Sequence, residues 1–173
     1  MMKIIKRISI IIVAVILAIS IILMLPVIFF NIAYLFTPVA RPEITYGEFP
    51  FTLVYEIEGE VITINDVYVC NFDGFTTSTA GKFREWKGYL KSNGDEDLFI
   101  TEDDKLEIYI NIGAPAYFMG DEHPYKVPME PHIYYLEKDP EDIIVMSKEE
   151  LCEQFNIKIL EWDFPIPITN TFK

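Results

Sequence analysis

The chain has 173 residues, 51% of them apolar and 24% charged, with a formal net charge of −13. That apolar share excludes disorder by composition, and the length suits one globular domain of about 100–200 residues. The acidity argues against a nucleic-acid partner, which needs a basic face, and two cysteines are too few for a disulfide scaffold or a four-thiolate zinc site.

Residues 1–36 stand apart from the rest. They contain Lys3, Lys6 and Arg7 and no acidic residue. From Ile8 to Leu25 only Ser9 and Ser20 interrupt an apolar run, which resumes after Pro26 from Val27 to Phe30 and again from Ile32 to Phe36. A membrane-spanning helix needs about 20 apolar residues, and a helix apolar on every side has no polar face with which to lie on a membrane surface. Residues 1–36 are therefore expected to form a cytoplasmic N-terminus and a transmembrane signal anchor. The lipid bilayer is then a partner through residues 8–36. A cleavable signal is the competing reading. Its small-x-small site is poorly served by Ala18-Ile19-Ser20 in mid-span and by Pro38-Val39-Ala40 with its proline. The cationic flank keeps the N-terminus in the cytoplasm by the positive-inside tendency. The expected location is thus the cell membrane, single-pass, with the C-terminal part outside.

Residues 37–42 read as a stiff linker, because Pro38 and Pro42 disfavour helix in their neighbours. Residues 43–173 form the expected exported domain, which carries every acidic residue of the chain. Period-two alternation dominates it. Phe51, Leu53, Tyr55 and Ile57 share a strand face, and Gly59 marks a turn or a bulge. Val61–Ile64 and Val67–Phe72 read as strands separated by a break at Asn65-Asp66, and Asp73-Gly74 opens a loop through Gly81. Phe83–Leu90 follows as a strand with Arg84, Trp86 and Gly88 on one side. Asn93-Gly94 and Glu102-Asp103-Asp104 are turns around Leu98–Thr101.

Leu106, Ile108, Ile110 and Ile112 give the clearest alternation, with Glu107, Tyr109 and Asn111 facing the other way. Gly113–Pro131 reads as a long irregular loop, and Ile133–Leu136 and Ile143–Met146 as strands. Ser147 and Glu150 match a capping box for a helix through Phe155, and Ile157–Phe164 reads as a last strand. The expected fold is mainly β, an antiparallel β-sandwich or open barrel with one short helix, preceded by the transmembrane helix.

Chemistry-bearing residues are sparse. His123 and His132 are the only histidines, and with Asp121, Glu122 and Glu130 nearby they are the candidate metal ligands, although no ligand spacing such as H-E-x-x-H is present. Cys70 and Cys152 are either a disulfide or two buried thiols, and neither has a neighbouring histidine to activate it. The acidic turns lack the spaced oxygen ligands of a calcium loop, and no P-loop, G-x-G-x-x-G or G-x-S-x-G occurs. No cofactor is expected. Gly113–Asp121 places Tyr117, Phe118 and Met119 among backbone breakers. With Asp121 they are the candidate binding residues, or else they plug one end of the core.

Four stretches carry a resemblance: Tyr55-Glu56-Ile57-Glu58-Gly59-Glu60, Asp66-Val67-Tyr68-Val69-Cys70, Trp86-Lys87-Gly88-Tyr89 and Gly113–Asp121. Over most of the exported part they resemble uncharacterised small single-pass membrane-anchored proteins of Gram-positive, clostridia-like bacteria. The resemblance implies a membrane anchor and no known activity. The function expected from the sequence is a membrane-anchored extracytoplasmic binding or accessory domain with a possible protein partner in the envelope. The alternatives are an extracytoplasmic hydrolase or metal-dependent enzyme using acidic residues, and an immunity or regulatory subunit of another membrane protein. A binding module requires an exposed aromatic or apolar patch, and an enzyme requires converging polar groups.

Overall fold

The computed structural model describes residues 15–29, 32, 38–78, 81–102, 105–121, 132–138, 141–163 and 165–173. Helix α1 (15–29) and the chain around 75–83 belong to one compact unit, and residues 40–74 and 84–173 to a second. Every residue of α1 is exposed. The membrane span expected at 8–36 is not supported by the described residues, among which no helix is long and apolar enough to cross a bilayer. At 1.5 Å per residue α1 is about 22 Å long, against ~30 Å of hydrocarbon. The flanking parts of the expected span, 8–14, 30–31 and 33–36, lie outside the described residues.

The second unit is built on strands, two of which, β2 and β3, have one end among residues 75–83 of the first. β1 (Tyr46–Ile57) turns through Glu58-Gly59 into β2 (Glu60–Ser78), with φ of 55° and 82° at the two turn residues. Positive φ at both positions is the two-residue hairpin geometry whose twist matches the flanking strands. β3 (Gly81–Leu90) follows, and β8 (Ile157–Asp163) pairs antiparallel with β1, giving a first sheet in the order β3-β2-β1-β8. β4 (Asp97–Glu102), β5 (Leu106–Asn111), β6 (His132–Lys138) and β7 (Glu141–Met146) make a second antiparallel sheet in that order. Two separate sheets favour the layered reading over an open barrel.

Alternation explains the layer between them. Phe49, Phe51, Leu53 and Tyr55 of β1 and Ile108 and Ile110 of β5 are all buried in one cluster. Tyr68, Cys70, Leu90, Ile133 and Ile157 complete it from the other strands. Each large side chain buried this way contributes about 1.5–3 kcal/mol of transfer free energy.

Two elements differ from the sequence reading. No break occurs at Asn65-Asp66; β2 runs through, with the two residues opposite Thr52 and Phe51. Their side chains are bonded outside the ladder: Thr52 Oγ1 donates to Asn65 Oδ1 (2.9 Å), and Ser92 Oγ donates to Asp66 Oδ2 (2.6 Å). The loop expected from Asp73 is instead strand to Ser78 and strand again from Gly81, in neighbouring strands β2 and β3, while residues 79–80 lie outside the described residues. The helix cap is as read. In α3 (Lys148–Phe155) the Glu150 amide donates to Ser147 Oγ (3.1 Å), and the Ser147 amide donates to Glu150 Oε2 (2.8 Å). Asn156 closes α3 in the left-handed region at φ 54°.

Both cysteines are free, Cys70 buried on β2 and Cys152 half-buried on α3. Burial pushes the Cys70 thiol up to about 12. At pH 8 iodoacetamide should therefore alkylate Cys152 and spare Cys70, because the thiolate is the nucleophile; in urea both should react. Ser147→Ala should cost about 1 kcal/mol and Ile110→Ala about 2–5 kcal/mol in chemical denaturation.

Candidate functional site

The Gly113–Asp121 segment is held from three sides. Its first part is one helical turn, α2 (Pro115–Phe118). Phe118 and Met119 are 2% and 0% exposed, so they fill the core rather than present a contact surface. Phe118 packs against Phe49 and Tyr68 with ring centroids 5.2 and 5.5 Å away. Tyr117 is half-buried against the same cluster. Tyr68 Oη donates to the Gly113 carbonyl (3.0 Å). Gly88 on β3 makes room for that tyrosine, since a Cβ there would lie 2.0 Å from Tyr68 Oη.

Asp121 is buried and fully engaged. Arg84 Nε and Nη2 donate to its Oδ2 and Oδ1 (2.5 and 2.6 Å), and Trp86 Nε1 donates to Oδ2 (2.9 Å). The fork-to-fork pairing is the strong, directional form of an arginine–carboxylate bond. Arg84 also stacks on Phe172, 4.2 Å from the ring centroid, and donates to the Ala40 carbonyl (3.2 Å). Asn170 bonds both the Ile44 backbone and the Met119 carbonyl (3.1 Å). A carboxylate so occupied locks the segment to β3; it is not poised as a base or metal ligand.

The metal reading gains no geometry. His123 lies outside the described residues, and His132 opens β6 with its ring 6.2 Å from that of Tyr134. Among the described residues no group of three or more His, Cys, Asp or Glu could hold a metal ion.

A different surface emerges from strand register. On the outer face of the second sheet, Phe99 pairs with Tyr109, Tyr109 with Tyr134, and Tyr134 with Val145. These four residues form one row across all four strands. Phe99 and Tyr109 have centroids 5.7 Å apart, and Tyr109 stacks on Tyr134 at 5.2 Å and 12°. Leu136 and Ile143 pair in a second row beside it. Phe99, Ile143 and Val145 are 39%, 55% and 55% exposed.

The corresponding rows on the first sheet mix polar residues with small apolar ones: Asp163–Thr52–Asn65, Glu161–Val54–Thr63 and Pro50–Val67. The aromatic row has no counterpart in these rows. Acidic groups border it. Asp97 and Asn111 pair at one end, where the Asn111 amide donates to Asp97 Oδ1 (2.7 Å). Burial pushes the Asp97 carboxyl up, partly offset by that bond, and burial with the nearby Asp97 charge raises the Tyr109 hydroxyl. At the other end Glu102 stands opposite Glu107 on the same face, while Glu137 and Asp142 pair on the other face of the sheet.

The sequence reading noted Tyr109 as outward-facing but did not find the row. Alternation within β5 is visible along the chain, whereas the alignment of four strands is not.

Asp121→Asn should cost roughly 3–5 kcal/mol in urea unfolding, because it leaves the Arg84 guanidinium largely buried without its counter-charge. Phe118→Ala should cost a similar ~3–5 kcal/mol. Tyr109→Ala should cost well under that, about 1 kcal/mol, since it removes only outer-face pairs.

The chain matches no protein-family model, no curated protein and no solved structure, so its function is read from its own surfaces.

Proposed function

We propose that this chain is a membrane-anchored binding or accessory domain of the cell envelope, exposed outside the cytoplasm, and that it meets a protein partner through the outer face of the second sheet. The Phe99–Tyr109–Tyr134–Val145 row carries the reading. Interface cores are enriched in aromatic residues and bordered by polar ones, and a contiguous apolar row on an otherwise acidic surface has that anatomy. Tyrosine suits such a surface because it offers a large area with few rotamers to immobilise. The Tyr109–Tyr134 stack fixes both rings before a partner arrives, which lowers the entropic cost of binding.

The anchor rests on the N-terminal residues. Apolar side chains cover all sides of α1, and Leu23 and Phe29 are 68% and 73% exposed. Lipid is a medium in which such a helix has no exposure penalty. Lys3, Lys6 and Arg7 on its N-terminal side favour a cytoplasmic start.

Two measurements in cells test this. Protease added to intact protoplasts should digest the C-terminal part; digestion only after lysis would refute the topology. A photo-crosslinking amino acid in place of Tyr109 should give a discrete adduct on irradiation. The same group in place of the exposed Thr63 on the first sheet should give none. Equal labelling at both positions would refute the contact surface.

A further inference from the structure

The aromatic row ends on β7, which among the described residues is an open edge. It is the last strand of the second sheet and, among the described residues, pairs with β6 alone, in unbroken register from Ile133↔Met146 to Lys138↔Glu141. An unprotected edge presents a row of backbone donors and acceptors to any passing strand, and proteins usually blunt it with cations, proline or a bulge. The other three edges are blunted. β4 has a register shift between Phe99 and Thr101, and β1 and β8 have one at Val54/Tyr55. β3 carries Lys82 and Lys87. β7 has no bulge, no proline and no cation, and it exposes Ile143, Ile144 and Val145 in succession.

Charge selects the occupant. The sequence that leads into β7 is acidic: residues 137–142 hold four acidic residues and one lysine. Glu137↔Asp142 puts like charges directly opposite each other on β6 and β7, an arrangement that costs stability and that a nearby cation relieves. A second copy of a chain with net charge −13 would add to this repulsion. A strand bearing lysine or arginine would remove it and would also be steered to the site.

We infer that β7 accepts a cationic, extended segment of a partner protein as a fifth, hydrogen-bonded strand of the second sheet. The inference rests on the binding reading above and names the partner's chemistry. The incoming strand places apolar residues beside Ile143 and Val145, extending the aromatic row. Its alternate residues, on the side of Asp142 and Ile144, are lysine or arginine. Main-chain bonds supply affinity and the alternating side chains supply selectivity, as in other cases of strand addition.

Amide hydrogen exchange on the full chain in detergent tests it, with the peptide Lys-Val-Lys-Val-Lys-Val-Lys as probe and its glutamate counterpart as control. In the free protein, alternate β7 amides, those turned away from β6, should exchange fast. With the lysine peptide at ten times its dissociation constant they should slow by about tenfold. The glutamate peptide should leave them unchanged. Ile144→Lys and Val145→Lys each put a cation on the edge and should abolish the slowing while the β5 amides stay protected, which shows that the fold is intact. Fast exchange at β7 with the lysine peptide present would overturn the inference. So would protection of all β7 amides before any peptide is added, with sedimentation then distinguishing a dimer from an edge already covered within the chain. Slowed β7 exchange with equal crosslinking at Tyr109 and Thr63 would instead uphold the edge and remove the face. The converse result would keep the binding reading and remove the strand addition.

Discussion

Phe51, Leu53, Ile108 and Ile110 lie between two four-stranded sheets, and keeping that layer dry is the constraint on which the rest of the molecule depends. Each of these residues is one step in an alternating strand. A register slip of a single residue would carry every one of them into water, so the core specifies the pairing as strongly as the backbone bonds do. α3 and the α2 segment complete the same layer with Leu151, Phe118 and Met119. None of these elements adds a second core; each covers part of the first.

At one edge of that layer the apolar rule gives way to a charge. Asp121 follows α2 directly, where the backbone leaves the core, and a lone carboxylate there would be costly. Arg84 and Trp86, two apart on β3 and therefore on one side of it, supply three donors to its two oxygens. Phe172 and Asn170 then close over the same place from the last residues of the described chain. Asp121, which sequence reasoning offers as a binding residue, is thus consumed in holding the α2 segment to the first sheet.

With both inner faces committed to the core, the outer faces are where the two sheets differ. The first sets threonine, asparagine and acids beside Pro50, Val54, Val61 and Val67 in its rows. The second aligns three aromatic rings and a valine. Aromatic pairs add about 0.5–1.5 kcal/mol beyond area burial, so the row is partly self-supporting. Its open end at β7 still leaves three large apolar residues in water. That imbalance is the observation on which the proposed binding reading rests.

Alternation alone, read along the chain, was enough to place the inward residues of β1 and β5, the capping box of α3 and the mainly β class, since these depend on neighbours two to four positions apart. The split between a bulky apolar N-terminal run and an acidic β-rich remainder is likewise a property of composition. Tertiary structure decided everything that depends on register between distant strands. Asn65-Asp66 reads as a break until Thr52 and Ser92 arrive to bond it. Asp121 reads as a free acid on a loop until β3 brings Arg84, 37 positions away, against it. Phe99, Tyr109, Tyr134 and Val145 are four unremarkable residues spread over 47 positions until three antiparallel pairings set them side by side. A strand's own period fixes which face a residue occupies, but which residues become neighbours on that face is set by the turns and the core, and these act only when the chain has folded.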